Sequence, residues 1–273
     1  SSDLMGYTLA WAIECYEKGY ITKEDTDGLE LTWGNVDAIR QLMIKIAKRE
    51  GFGNILAEGV MRASKMFGGP AQECAVYCKR GAAPHIHDPR GNYSVALAQL
   101  VSENGSIYGA VDRSPKPELG HNEPLSYTES ELHPILLARG VPKTAFFDCY
   151  MMCNFVGVSM PHMMDCLNAL TGWEMTIDEA MTVGKRMATM ARAFNLRHGA
   201  TAEDDNLSKR LLDPVKDGPN KGKALGPIIA EAKRKYYREM GWNEETSYPL
   251  PETLRALGLD FIIKDLYGEG SVS

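Results

Sequence analysis

The apolar positions of the chain follow a helical pattern almost throughout. Between Leu4 and Lys18, apolar side chains recur at the spacing that places them on one helix face, and Gly19 is a typical stop. The same spacing, introduced by capping residues, predicts further helices that begin near Asn35, Asn54, Tyr93, Ser130, Ser159, Thr176, Pro227 and Pro251. The expected fold class is therefore all-α and multihelical.

Stop signals predict where several of these helices end. The helix from Asn54 is expected to end before the Gly-Gly-Pro run at residues 68–70, and the short helix from Ser130 is expected to stop at Gly140. Thr176 and Glu179 form a capping box for the longest helix. The last predicted helix ends at Gly258, and the tail at residues 268–270 is expected to be loose.

Two segments interrupt the helical pattern. Residues 74–78 form a short extended piece, and the loop after them carries His85, His87, Asp88 and Arg90. The sequence leaves three roles open for the two histidines, which are metal ligands, an acid/base pair or exposed loop residues. It leaves two roles open for Arg90, which are binding of an anionic group or a structural salt bridge. Residues 102–123 form the longest irregular segment, which makes them a candidate lid or pocket wall.

Composition narrows the functional classes. The chain of 273 residues, with 44% hydrophobic and 24% charged positions, is long enough for one large or two modest domains. A net charge of -6 without a basic block argues against nucleic acid and phospholipid as partners. No apolar run approaches the roughly 18 residues that span a bilayer, so no membrane contact is expected and the predicted location is cytoplasmic. The chain begins without a start methionine, and we expect it to be part of a longer protein.

Candidate chemistry is concentrated in residues 148–155. Cys149 and Cys153 are four positions apart and follow Asp148, and thiolates at this spacing bind zinc or iron-sulfur clusters. The alternative is two buried structural cysteines. Six cysteines in the whole chain are too few for a disulfide scaffold and indicate reduced thiols. The methionines around this segment are more typical of adaptable core packing than of a metal site.

Eight segments, taken in order, resemble the C-terminal half of the aldehyde ferredoxin oxidoreductase family. They are residues 12–19, 32–35, 46–53, 56–60, 88–91, 167–173, 192–197 and 253–259. The resemblance implies two helical subdomains, expected at residues 1–140 and 141–273, that follow a β-rich N-terminal domain of the same protein. It also implies a tungsten bis-pterin cofactor and a 4Fe-4S cluster between the domains.

The family signature Asp-x-x-Gly-Leu-Cys assigns the cofactor contacts by resemblance. It makes Cys153 a ligand of the cluster and Asp148 the acid that contacts the pterin. Met151 and Met152 stand in the place of Gly-Leu, so Met152 is the expected backbone contact, and Arg90 is a further cofactor-binding candidate. The other three cluster cysteines precede the matching region in the family. Both cofactors are therefore expected to be absent from the isolated chain.

The proton-transfer residue is where the chain departs from the family. A histidine near the tungsten closes a Ser-x-x-Gly-x-x-His pattern in the family, whereas the matching run here ends in Tyr108. A tyrosine, with a pKa of about 10, is a poor base near neutral pH, although it donates a proton well. The candidates for the acid/base are therefore Tyr108, His85 and His87, with His121 as a further one. If Tyr108 has no role in proton transfer, it is a residue of the pocket wall.

The function implied by the resemblance is oxidation of an aldehyde to a carboxylic acid by a tungstopterin oxidoreductase. Electrons would pass through the 4Fe-4S cluster to ferredoxin or another carrier, and a homodimer is an expected assembly. Two alternatives remain open. One is a subunit that reduces an aromatic acyl-CoA, as in class II benzoyl-CoA reductases, and the other is a helical assembly module without cofactor.

Overall fold

The structure is a computed structural model that describes residues 2–84, 88–103, 109, 133–153 and 156–268. Its α-helices are α1 Ser2–Glu17, α2 Val36–Lys48, α3 Phe52–Leu56, α4 Val60–Phe67, α5 Gly69–Glu73, α6 Tyr93–Val101, α7 His133–Cys149, α8 Met160–Thr171, α9 Ile177–Arg197, α10 Lys209–Leu212, α11 Gly226–Met240, α12 Pro251–Ala256 and α13 Asp260–Tyr267. Extended residues in the described part pair only through isolated bridges, such as Cys78 with Ala82. The all-α prediction is confirmed.

Side-chain caps explain why several helix starts were predictable. The Asn35 side chain accepts a hydrogen bond from Ala38 N at 3.1 Å, and the reciprocal capping box of Thr176 and Glu179 is present. Ser159 caps α8 in the same way. These residues satisfy N–H groups that the helix itself leaves without acceptors, so the positions at which they occur fix where each helix begins.

Glycines with positive φ divide the region that was predicted as one helix from Asn54. Gly59, at φ 81°, separates α3 from α4, and Gly68, at φ 66°, separates α4 from α5. Helical residues have negative φ, so each glycine ends one helix and reorients the next. The prediction of a single helix here was wrong, and α5 had not been predicted.

Tertiary burial extends two helical regions beyond their predicted ends. Helix α7 continues through Gly140 and Pro142, although proline removes one backbone hydrogen bond, because its flanking residues Leu137 and Phe146 are buried. After Gly258 the chain forms α13, which buries Ile262 and Ile263. The prediction of a stop at Gly140 was therefore wrong, and α13 had not been predicted. The predicted loose tail at residues 268–270 lies outside the described residues beyond Gly268.

One compact unit consists of residues 1–90 and 205–224. Its core surrounds Trp11 of α1, whose indole nitrogen donates to the Ala71 carbonyl at 2.7 Å. Backbone hydrogen bonds join its two stretches of chain, from Lys79 N to Asn206 O at 2.7 Å and from Ser208 N to Tyr77 O at 2.8 Å.

The other compact unit consists of residues 91–204 and 225–273, with α7 packed along α9. At their contact, a Cβ added to Gly184 would lie 1.8 Å from the Pro142 carbonyl oxygen, so only glycine fits. The predicted division between residues 140 and 141 falls inside α7. The assignment of 1–140 and 141–273 to the two helical domains of the family stays a prediction. No described helix has both the length and the apolar character needed to cross a membrane.

Candidate functional site

The Asp148 to Cys153 segment is the C-terminal cap of α7. Met152 N donates to the Phe147 carbonyl at 3.3 Å, and Met151 N donates to the Asp148 carbonyl at 2.9 Å. Met151 has a positive φ of 54°. These two hydrogen bonds and the left-handed residue define a Schellman cap, which also brings Met152 and Phe147 into one apolar cluster. The turn therefore places Cys153 immediately beyond the helix end.

This cap gives the substituted signature a physical meaning. The left-handed position is where glycine is favoured, and the position after it supplies the apolar contact that accompanies the cap. Met151 and Met152 stand in these two positions and retain both the turn and the contact. The predicted role of Met152 toward the cofactor stays a prediction, while its side chain packs on the core.

The two cysteines of the segment have different surroundings. Both are exposed, but Cys149 Sγ lies 3.4 Å from the Ala145 carbonyl oxygen and 2.9 Å from Sδ of Met187 on α9. Cys153 is exposed beyond the helix. Elsewhere, burial raises the pKa of Cys15 to about 12 and that of Cys78 to about 11, so both are protonated thiols near neutral pH. Cys153 is the thiol that the fold presents at the signature position.

Asp148 lies at the wall of a cavity of about 190 Å³ in the second unit. The described lining residues come from α6, α7, α9, α11 and the turns after α6 and α11, and most are apolar. They are Val101, Ser102, Glu103, Val141, Ala145, Asp148, Met187, Ala188, Ala191, Tyr236 and Trp242. An acid at the edge of an apolar cavity can orient a ligand through hydrogen bonds from the N–H groups of that ligand.

Glu103 is the second carboxylate of this wall, and sequence reasoning missed it. Asn195 Nδ2 donates to its Oε2 at 2.7 Å and to its backbone carbonyl at 3.1 Å. Arg192 Nη1 lies 3.7 Å from its Oε1. Arg192 and Asn195 are three positions apart in an otherwise apolar part of α9, and this spacing was the available signal.

Arg192 itself is buried, with a relative exposure of 1%. Its guanidinium carbon lies 5.6 Å from the ring centroid of Tyr237 and 5.7 Å from that of Trp242, and it donates to Ser247 Oγ. A buried cation needs such partners because desolvation disfavours its charge. The arginine thus supports Glu103 from behind and is not among the described residues that line the cavity.

Arg90 lies in the first unit and forms an ion pair with Asp88. Its Nη2 is 2.6 Å from one carboxylate oxygen of Asp88, and its Nε is 3.0 Å from the other. Hydrogen bonds from Arg90 hold the pKa of Asp88 below its usual value. The pair lines a polar cavity of about 450 Å³. This geometry matches the structural salt bridge, and the role of Arg90 in cofactor binding stays a prediction.

The predicted acid/base residues Tyr108, His85 and His87, together with His121, lie outside the described residues. Gly109, which follows Tyr108 in the sequence, is described: a Cβ added to it would lie 2.5 Å from Cγ2 of Val141, a residue of the cavity wall. Gly109 therefore packs against Val141 of α7. The roles predicted for the tyrosine and the histidines stay predictions.

The described residues fit the implied cofactors in part. Among them no group of three or more His, Cys, Asp or Glu side chains is placed to hold a metal ion. A 4Fe-4S cluster takes four thiolates, of which Cys153 can supply one. Asp148 offers carboxylate oxygens at the cavity, which suits the N–H groups of a pterin. The segment fits as one part of a site that needs further ligands.

The described chain thus combines an all-α fold with an exposed thiol that follows an acid at the end of α7. The chain belongs to the aldehyde ferredoxin oxidoreductase family, because the model of that family for domains 2 and 3 matches residues 3–259. The resemblance read from the sequence is confirmed.

Individual relatives support this assignment. The chain is 35% identical over 263 residues to the tungsten-containing aldehyde ferredoxin oxidoreductase of Pyrococcus furiosus, which covers 93% of this chain and 42% of the relative. It is 31% identical over 268 residues to the WOR-like subunit of an aliphatic sulfonate oxidoreductase of the same organism, covering 93% of this chain and 39% of that protein. The chain thus spans about two fifths of the length of these relatives.

A solved structure shares the fold. The active-site complex BamBC of benzoyl coenzyme A reductase, in complex with 1,5-dienoyl-CoA, superposes with a TM-score of 0.74 at 20% identity. The match covers 96% of this chain and 44% of that chain. At this identity the likeness concerns the fold.

Proposed function

We propose that the chain is the helical, cofactor-binding part of a tungstopterin oxidoreductase that oxidises aldehydes to carboxylic acids. The observation that supports this most directly is the Schellman cap of α7, which sets Asp148 at a cavity and the Cys153 thiol beyond the helix end. Aspartate and cysteine are the residue types of the family signature at these positions. The chain forms the cap although Met151 and Met152 stand in the place of Gly-Leu.

The residues of this chain would have separate tasks. When bound, the cofactor and the cluster supply the two-electron chemistry. Cys153 would donate one thiolate to the cluster, and Asp148 would accept hydrogen bonds from the pterin. The apolar wall of the cavity would hold the substrate and exclude water. Proton uptake would fall to His85 or His87, because a histidine pKa of about 6.5 suits a base near neutral pH.

The proposal includes partners that lie outside this chain. Because the family relatives are more than twice as long, the helical part is proposed to work with an N-terminal domain of the same protein. Ferredoxin is the proposed electron acceptor of the cluster. The intact enzyme is proposed to be cytoplasmic and to form a homodimer.

The experiment compares Cys153→Ser with Cys149→Ser in the full-length protein. Loss of a ligand should remove or destabilise the cluster, so the electron paramagnetic resonance signal of the reduced Cys153→Ser protein should fall strongly. The Cys149→Ser variant is the matched control and should keep the signal, because Cys149 contacts Ala145 and Met187 within its own unit. Equal loss in both variants would show that the signature does not select Cys153.

Reduction of an aromatic acyl-CoA is the second candidate, and Tyr108 in place of the family histidine favours it. A tyrosine near pKa 10 donates a proton but is a poor base near neutral pH. Assays of the full-length enzyme with aldehydes and with benzoyl-CoA, on His85→Asn, His87→Asn and Tyr108→Phe, separate the two functions. Full aldehyde turnover in both histidine variants, with loss only in Tyr108→Phe, would transfer the proton role to the tyrosine.

A further inference from the structure

Two cysteines meet in the core of the first unit. Cys15 belongs to α1, and Cys74 follows the last residue of α5. Both are buried free thiols, and the Cys15 thiol shares a hydrogen bond with the Cys74 thiol. A disulfide requires the two side chains to approach each other in this way.

Hydrogen bonds on both sides of this pair hold α1 against the end of α5. One turn before Cys15, the indole nitrogen of Trp11 donates to the Ala71 carbonyl at 2.7 Å, and the Cys15 thiol lies 3.9 Å from the same oxygen. Arg210 Nη1 donates to the Cys74 carbonyl at 3.1 Å and also to a carboxylate of α1. The backbone positions of the two cysteines are therefore fixed by their surroundings and do not depend on the thiols.

The two thiols differ in their access to solvent. Cys74 is 8% exposed and lines the polar cavity of this unit, where Lys18 Nζ donates to its sulfur at 3.8 Å. Cys15 is 0% exposed, and burial together with its contact to Cys74 raises its pKa to about 12. A small oxidant in the cavity therefore reaches Cys74 first, and Cys15 is the thiol in contact with it.

We propose that Cys74 and Cys15 form an oxidisable thiol pair, in which a hydroperoxide oxidises Cys74 and Cys15 then closes a disulfide with it. The proposed function assigns no task to either thiol, so this inference does not rest on it. The product links α1 covalently to the residue that follows α5.

The atoms and electrons of the reaction balance in two steps. The Cys74 sulfur attacks the peroxide, so a sulfur–oxygen bond forms, the oxygen–oxygen bond breaks and, for hydrogen peroxide, water leaves. The Cys15 sulfur then attacks the sulfenic acid at Cys74, so a sulfur–sulfur bond forms and the hydroxyl group leaves with the thiol proton as a second water. Two electrons pass from the two thiols to the peroxide.

Disulfide mapping of the full-length wild-type protein tests the pairing. Hydrogen peroxide is added at a dose that oxidises the exposed thiol of Cys166. Alkylation after denaturation and non-reducing peptide mass spectrometry should then find the Cys15–Cys74 linkage in more than about half of the molecules, and dithiothreitol should remove it. Cys78 is the internal control: its buried thiol lies 3.5 Å from the Ala82 carbonyl oxygen and should be recovered reduced. Two unlinked thiols, or a linkage of Cys74 to another cysteine, would overturn the proposal.

The order of oxidation is tested with dimedone, which traps sulfenic acids. In Cys15→Ala no contacting thiol can close the disulfide, so dimedone labelling of Cys74 should rise at least about fivefold over wild type. In Cys74→Ala the labelling of Cys15 should stay at background. Cys166→Ala, at an exposed position of α8, is the matched control and should form the linkage as the wild type does. Stronger labelling of Cys15 than of Cys74 would contradict the assignment of Cys74 as the thiol that the peroxide oxidises. The mapping in the wild-type protein needs no variant, so it decides the pairing even if a core substitution prevents folding.

Discussion

Met151 carries the left-handed position of the α7 cap with a side chain that makes this conformation costly. Its φ is 54°, and its side chain is 95% exposed, so packing does not compensate for the backbone strain. Glycine has no Cβ and adopts such a φ without this penalty. The strain therefore lies in the same turn that presents Cys153.

Met151→Gly should raise the free energy of unfolding by about 1 kcal/mol, because it removes this strain. Met152→Gly is the matched control one residue later: it should lower the free energy of unfolding by about 2 kcal/mol, since Met152 packs on the apolar cluster. Denaturant titration measures both. Destabilisation by Met151→Gly would mean that the Met151 side chain makes a contact that stabilises the fold by more than the backbone strain costs.

Single residues of the site were predictable only where a local pattern marks them. Asp148 and Cys153 stand in a signature, so the resemblance selected them as candidates, and in the structure they belong to the cap of α7. Their roles stay predictions. Glu103 gave no such signal, because it gains its meaning from Asn195, which is 92 positions away. Its exposure to the cavity depends on how α6 and α9 pack, which a linear pattern does not contain.

Helices α7 and α9 approach each other closely at Gly184 and Pro142. Gly184→Ala should lower the free energy of unfolding by about 2 kcal/mol or more, because its Cβ would lie 1.8 Å from the Pro142 carbonyl oxygen and would push the helices apart. Gly6→Ala is the control in an exposed part of α1, where nothing lies within 4 Å of the added Cβ. That variant should gain roughly 0.5 to 1 kcal/mol. If chemical denaturation showed that Gly184→Ala and Gly6→Ala change the free energy of unfolding by similar amounts in the same direction, the close approach of the two helices would be contradicted.

Asp27 stabilises the start of α3 from outside the helix. Its Oδ2 accepts hydrogen bonds from Phe52 N at 2.9 Å and from Lys45 Nζ at 3.0 Å, which hold its pKa below the ordinary value of 3.8. A Cβ added to Gly51 would lie 2.1 Å from this oxygen, so glycine is what lets the carboxylate approach. The ionised form is therefore favoured in the folded state.

This contribution should depend on pH in a defined direction. Because the folded pKa is depressed, the stabilisation is complete above about pH 4 and is lost as the pH falls through the lowered value. Asp27→Asn should cost about 1 kcal/mol at neutral pH, and the difference from wild type should shrink in acid. Asp165→Asn, at an exposed position of α8, is the control and should change stability little at either pH. If urea titrations showed that the free energy of unfolding of Asp27→Asn differs from that of the wild type by the same amount at pH 7 and at pH 3, ionised Asp27 would not be the source of the stabilisation.

Helix starts were more predictable than helix ends for a physical reason. A cap such as Asn35 acts within three residues, so the sequence alone contains the interaction. The end of α7 is set by burial of residues such as Leu137 and Phe146, which outweighs the local cost of Gly140 and Pro142. The start of α13 after Gly258 was missed because a short apolar pattern needs a tertiary partner to become a helix.

At the scale of the whole molecule, the all-α class followed from periodicity, while the grouping of helices did not. Each compact unit combines two separate stretches of chain, since residues 205–224 join the first unit and residues 225–273 join the second. In the first unit, hydrogen bonds such as that from Lys79 N to Asn206 O join the two stretches of chain, and they connect residues more than a hundred positions apart. Apolar periodicity describes each helix by itself and does not contain such pairings.

The 273-residue chain, produced alone, should be helical and should hold no stoichiometric 4Fe-4S cluster. The signature supplies one thiolate, Cys153, and within the described residues no three ligating side chains are grouped around a metal position. A cluster needs four thiolates, so the proposed function requires further ligands from outside this chain. Circular dichroism would report the helices, and iron and sulfide assays after anaerobic reconstitution would report the cluster, with the full-length protein as the positive control. A full cluster in the isolated chain would show that its own cysteines form a complete site. The assignment of Cys153 as the single cluster ligand from this chain would then be wrong.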